Sequence, residues 1–504
     1  MDLLVIFSIL ISIITIFYWY LTKTYNHWSK QKIPCLPSRP FPGFGHILPI
    51  ITLRQSLHDF SLKAYHASEA SVIGFYFTRK PAIFVRDPEL VKSVLVTNFS
   101  SFRNNAIQFN KELDPVMANH PFFTGNPDTW KVSRARAVNH LSNRKLGQHF
   151  NIINQVCSKM DLHLSQKFEE KFMVECELKD LFSKYTSEIV ANAAFGIEGQ
   201  SFEDNPDKWA FVSVTKTIFE PKLTNNLRQM LIFYLPEVAN LLRLRFLQES
   251  TDEYLRESLK NILKQRKLMD IAPNDFLQFC IETNVENDVD KIIADIITFY
   301  FDVYETSSTA LATVFYHLSK NQNIQEKLRE HITSVMEKFE GEITYEALKE
   351  MNYLEQIIYE SMRLTPPFPT LFKTCTQEIT LKGSDGLECH LTEGNVVLIP
   401  LIALNHDEKY WHQSQTFDPD RFSAENRMNQ TKFVFLPFGE GPRQCIGLRL
   451  GLMLMKLATV RLIQNYSVEP SNVTREPLKM EPSSFMTFIE GGLWAKFKRL
   501  DQNG

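Results

Sequence analysis

One cysteine of this chain sits where it could hold a metal. Residues Phe438 to Gly447 read Phe-Gly-Glu-Gly-Pro-Arg-Gln-Cys-Ile-Gly, and an apolar, helix-like stretch from Leu448 to Leu462 follows. A helix N-terminus offers unpaired N–H groups and partial positive charge, so Cys445 just ahead of it is expected to have a lowered pKa and to act as a thiolate. Gly439, Gly441 and Gly447 are expected to let backbone amides approach the sulfur and hydrogen-bond to it, as metal thiolates are tuned. A lone cysteine is more often a buried free thiol. The arginine and glycines around Cys445 favour ligation instead.

Three further pairings could carry chemistry or shape a site. Glu305 and Thr306 place an acid beside a hydroxyl within a long helical pattern, where a threonine can bond back to a carbonyl one turn earlier and open the ladder to water. The same two residues also suit a surface acid and an ordinary back-bonded threonine. Glu360 and Arg363 share a helix face at i,i+3, which taken alone describes a solvated ion pair. Trp130 and Arg134 can aim an indole N–H and a guanidinium at one anion, or simply pack together.

The cysteine loop matches Phe-x-x-Gly-x-Arg-x-Cys-x-Gly at every specified position, and in this the chain resembles the cytochromes P-450. The resemblance implies haem b, with its iron held by Cys445 and with Phe438 in the loop that binds it. It implies haem propionates on Trp130, Arg134 and Arg443, and on Lys373, which stands where the family carries an arginine; lysine keeps the charge and loses the bidentate fork. Thr306 would position dioxygen and Glu305 would relay protons. Glu360, Arg363 and Arg421, the last in Phe417-Asp-Pro-Asp-Arg-Phe422, would form a buried structural triad that braces the cysteine loop.

The chain departs from the family pattern at Asp302 and Val303, where a small residue and a glycine are usual. A charge near haem is unexpected, and Val303 is expected to narrow the oxygen groove. Phe299, Phe301, Phe368, Leu371, Phe372 and Phe485 are candidates for the pocket wall, each equally suited to core packing.

The function implied is insertion of one oxygen atom of O2 into a lipophilic small molecule, a xenobiotic or an endogenous lipid, steroid or terpenoid. Electrons would come from NADPH through the membrane-bound NADPH–cytochrome P450 reductase, with cytochrome b5 as an optional further donor. The loop is similar to those of microsomal animal enzymes, arthropod ones included. Two other classes stay open. One is a reductase-independent haem-thiolate isomerase or dehydratase acting on peroxides, which generally lacks the acid-alcohol pair; the other is a haem or lipid carrier, suggested by Asp302 and Val303.

The elements that must position these residues follow from composition and pattern. Hydrophobic residues make up 44% of the 504 and charged ones 22%, with 39 phenylalanines, so a large core is available. A formal net charge of −3 argues against a nucleic-acid binder, which would carry a concentrated basic face. The seven cysteines contain no C-x-x-C pair, so neither a disulfide framework nor a zinc site is indicated.

Leu3 to Leu21 lacks charge and approaches the roughly 20 residues a helix needs to cross a bilayer. Tyr18, Trp19 and Tyr20 form an aromatic belt, and Lys23, Lys30, Lys32 and Arg39 follow it, so the body is expected on the cytoplasmic side of the endoplasmic reticulum membrane. Pro34, Pro37, Pro40 and Pro42 predict an extended, stiff spacer. Apolar residues at 289, 292, 293, 296, 297 and 300 predict one long helix, and 72–77, 82–85 and 395–399 read as short strands. The expected architecture is mainly α: residues 1–22 an anchor, 23–45 a basic, proline-rich hinge, and 46–504 a single large cytochrome P450 fold with small β-sheets.

Overall fold

Val289–Lys320 forms one unbroken helix, as its apolar spacing predicts, and at 1.5 Å per residue its 32 residues span about 48 Å. The computed structural model describes residues 3–141, 143–168, 171–203, 213, 214, 218, 223–266, 268, 269, 275–283 and 289–500. Ile293, Ile296, Ile297 and Tyr300 have no exposed surface, so the predicted face is the buried one. Around this central helix pack the helices Leu178–Val190, Asn352–Leu364 and Leu448–Asn465, which makes the body mainly helical, as expected.

A five-stranded sheet lies to one side, in the order Val72–Phe77, Lys80–Val85, Val396–Ile399, Leu371–Thr374, Asn104–Asn105. Only the pairing of Lys80–Val85 with Val396–Ile399 is parallel. The three predicted strands are all in this sheet, one of them starting two residues earlier than its β-branched run suggests, at Lys80. The sheet sets a site residue in place: Lys373 lies in register with Val397 on one side and Asn105 on the other. The sequence reading misses a second sheet of Val174–Glu177, Trp494–Arg499 and Tyr466–Pro470, and a hairpin of Ile379–Lys382 with Glu388–Leu391. Most of these strands have four or five residues, too few for alternation to stand out.

Leu3–Thr22 is a helix with no buried residue, and among the described residues it alone is long and apolar enough to cross a membrane. The proline-rich segment contains no helix, and it does not stand free as a spacer. Gly74 donates to the Pro34 carbonyl at 2.7 Å and Leu36 donates back to Gly74 at 3.0 Å, which stitches the segment to the sheet edge. Trp28 is fully buried, donating from Nε1 to the Phe75 carbonyl at 2.8 Å. Gly74 is required there, since a Cβ would come within 2.6 Å of the Trp28 ring.

Candidate active site

The loop from Phe438 to Gly447 runs along a cavity of about 360 Å³, and Cys445 points into it. Cys445 lies deep in the molecule yet has exposed surface, because that surface faces the cavity. The helix that follows begins at Leu448, with Gly447 as its N-cap. The loop is closed by the Cys445 N–H donating to the Phe438 carbonyl at 2.8 Å.

The expected low pKa of Cys445 is not what the protein alone provides. Burial pushes the thiol up to about 11, the Asp302 charge pushes the same way, and the Gly447 amide and Arg134 only partly oppose them. Of the three glycines, Gly447 is the one whose amide reaches the sulfur. Gly441 serves the loop's path instead: its φ is +75°, and a Cβ would sit 2.1 Å from the Leu95 carbonyl oxygen. A thiolate at Cys445 therefore calls for a positive centre in the cavity, which a ligated metal ion supplies.

Beside the cysteine the fold gathers three basic side chains. Arg134, on the helix Pro127–His140, donates to the Gln444 carbonyl at 2.9 Å. The Arg443 guanidinium lies 4.8 Å over the Trp130 ring and donates to the carbonyls of Arg103, Pro121 (2.7 Å) and Thr124 (3.3 Å). Much of Arg443 is thus spent on fastening the 103–124 loop to the cysteine loop, a use the sequence does not announce. Lys373 is buried and donates to Asn105 Oδ1 at 2.9 Å. Burial, then the Arg443 charge, draws Lys373 down to about 7; burial, then Arg134, draws Arg443 down to about 10. Among the described residues none of the three meets a carboxylate. Buried cations gathered around an apolar cavity fit a ligand that bears carboxylates.

The central helix supplies the opposite wall. Thr306 borders the cavity and its Oγ1 donates to the Asp302 carbonyl at 2.5 Å, the predicted back-bond, but the helix continues without opening. Glu305 is buried, its Oε1 2.7 Å from Lys179 Nζ on the helix Leu178–Val190. Val303 lines the cavity and is buried. Phe299, Phe301, Phe368, Leu371, Phe372 and Phe485 all line it too.

Glu360 and Arg363 have no exposed side-chain surface, so the surface-pair reading fails here. Arg363 grips both carboxylate oxygens, at 2.7 and 2.8 Å, and donates to the carbonyls of Asn405 (2.7 Å) and Thr416 (3.3 Å). Arg421 approaches Glu360 to 3.4 Å but gives its hydrogen bond to the Gln413 carbonyl, so its share is charge alone. Burial raises the Glu360 pKa against the pull of Arg363. Phe422 and Tyr359, the chain neighbours of Arg421 and Glu360, pack on Phe435, three residues ahead of the cysteine loop, with ring centroids at 4.7 and 5.9 Å.

Sequence reasoning misses His120, Arg136, Asp295 and Lys179. His120 Nε2 lies 3.3 Å from Asp302 Oδ1, and Arg136 Nη1 lies 3.0 Å from Asp295 Oδ2. Burial pushes Asp295 up to about 6 in spite of Arg136. None of the four belongs to a local motif, and their partners are far off along the chain. A family model described as Cytochrome P450 matches residues 34–494. The chain is 29% identical to Cytochrome P450 6j1 of Blattella germanica over 98% of this chain and 99% of that relative. It is 28% identical to Cytochrome P450 6a2 of Drosophila melanogaster over 98% and 100%, and 29% identical to Cytochrome P450 9e2 of Blattella germanica over 94% of each.

Proposed function

The chain belongs to the cytochrome P450 family, and we propose that it is a membrane-anchored monooxygenase that inserts one oxygen atom of O2 into lipophilic small molecules. Residues 1–22 would be the anchor, 23–45 the docked stem and 46–504 the catalytic domain. NADPH–cytochrome P450 reductase would deliver the electrons, with cytochrome b5 as an optional donor. The observation that carries this reading is Cys445 facing a largely apolar cavity beside three cations that pair with no carboxylate among the described residues, with Thr306 on the other wall. When bound, haem supplies the reduction and splitting of O2.

The chain's own residues divide the remaining tasks. Arg134, Arg443 and Lys373 would hold the propionates. The phenylalanine walls would keep water from the reacting atoms. Thr306 spends its hydroxyl hydrogen on the Asp302 carbonyl, which leaves its lone pairs to accept a hydrogen bond inside the cavity. Lys179 is about a quarter exposed and ion-paired with buried Glu305, so the pair offers a route for protons from solvent toward the helix that carries Thr306.

Purified protein with reductase, NADPH and labelled dioxygen is expected to consume NADPH and place one labelled oxygen in a lipophilic product. A product formed without NADPH would favour the isomerase class, and NADPH-independent ligand retention without product the carrier class. Thr306→Ala is expected to keep substrate binding while product per NADPH falls severalfold and peroxide rises. Unchanged product per NADPH would remove Thr306 from proton handling.

The body is proposed to face the cytoplasm. Asn429 and Asn472 are exposed sequon asparagines, so a lumenal body would offer both for glycosylation. Endoglycosidase is expected to leave the mobility of the full-length protein unchanged, and protease added to intact microsomes to digest the body. A glycosylated, protected product would reverse the orientation.

A further inference from the structure

Three acids of the central helix border the cavity, and they are not treated alike. Asp295 is paired with Arg136 and Glu305 with Lys179. Asp302 has no cationic side chain among the described residues; its partner is His120. The Phe122 N–H donates to His120 Nδ1 at 3.1 Å, which leaves the ring proton on Nε2, the nitrogen 3.3 Å from Asp302 Oδ1. His120 thus stands beside one oxygen of Asp302 and leaves the other open to the cavity. The imidazole itself is held: its side chain is 2% exposed, and the loop that carries it is tied to the cysteine loop by Arg443 through the Pro121 and Thr124 carbonyls. The Asp302 side chain is 62% exposed and lines the cavity, among walls that include Phe123, Phe246, Phe301 and Phe485. A carboxylate on the wall of a largely apolar hollow attracts a cation more strongly once a lipophilic ligand has displaced the water around it.

We propose that Asp302, with His120 beside one of its oxygens, is the recognition group for lipophilic substrates that carry a protonated amine. The amine's N–H would donate to the Asp302 oxygen that His120 leaves open, while the hydrocarbon body lies on the phenylalanine walls. This fixes which end of such a substrate meets the central helix. It rests on the reading of the cavity as a substrate site beside haem.

The test compares two ligands of one shape, N-tert-butyl-4-phenylpiperidine, protonated at neutral pH and too hindered at nitrogen to bind iron, and 1-tert-butyl-4-phenylcyclohexane. Equilibrium dialysis against the haem-loaded protein is expected to show the amine bound about tenfold or more tighter. Asp302→Asn, nearly the same size, is expected to erase that preference and leave hydrocarbon binding as it was. Equal binding of the two ligands by the wild-type protein would overturn the proposal without any variant, as would a preference that survives in Asp302→Asn. The spectrum of the reduced carbon monoxide complex separates the two levels of inference. A wild-type protein without the thiolate signature defeats the haem-thiolate reading, whereas one with the signature and no amine preference defeats the role of Asp302 alone.

Discussion

Cys445→His is expected to abolish the thiolate signature of the reduced carbon monoxide complex and, with it, NADPH-dependent oxygenation. Cys445 is the one cysteine of the loop that closes on the Phe438 carbonyl, and its exposed surface looks into the cavity. The other six cysteines do not line the part of the cavity that this loop bounds; Cys280 borders the cavity from a different helix, and burial drives its thiol well above the usual range. Imidazole at position 445 would still present a nitrogen to a metal, so pigment can persist while the push of thiolate electron density is lost. A His variant that keeps the thiolate signature would place the ligand elsewhere.

Removing one member of the Glu360–Arg363 pair is expected to have the largest effect on stability. Arg363→Ala would strand a carboxylate with no exposed surface and orphan the Asn405 and Thr416 carbonyls. Breaking a buried pair in this way costs about 3–5 kcal/mol. Lys327→Ala removes a partner of Asp420 at 3.1 Å with both side chains more than half exposed, and is expected to cost no more than about 1 kcal/mol. Urea titrations followed by far-ultraviolet dichroism and by haem absorbance would compare them. Equal midpoints for the two variants would show that the triad is not a brace. A double replacement of Glu360 and Arg363 by apolar residues of similar volume is expected to cost less than Arg363→Ala, because it leaves no buried charge unpaired.

The central helix was legible because its apolar residues repeat on one face for several turns, and a buried face of that length leaves a strong periodic trace. The cysteine loop was legible because a cysteine, an arginine, a proline and three glycines fall within ten consecutive residues. Burial of Glu360 and Arg363 was not readable from their spacing, which a surface pair shares; the resemblance of the surrounding segments carried it. Nor could spacing reveal that Lys373 would be set against Asn105, since that contact depends on strand register across 268 residues. His120 escaped for the same reason, because its meaning comes entirely from Asp302. The shift of Cys445 went the other way from expectation, since a helix terminus acts within a turn while burial acts on the whole group.

The docking of the stem bears on motion as well as on packing. The Arg79 guanidinium lies 3.7 Å over the Tyr20 ring, Thr24 Oγ1 donates to the Arg79 carbonyl at 2.7 Å, and Tyr25 and Trp28 continue the grip along the sheet edge. A body on a loose tether would swing like a moored buoy and sample every orientation above a bilayer. Here the last turn of the apolar helix is clamped to a hairpin of the body, so the two turn together as a rudder turns with its post. For such a helix seated in a bilayer, a change of membrane thickness that alters its tilt would be passed to the body as a rotation, and the heading of the cavity would follow the lipid.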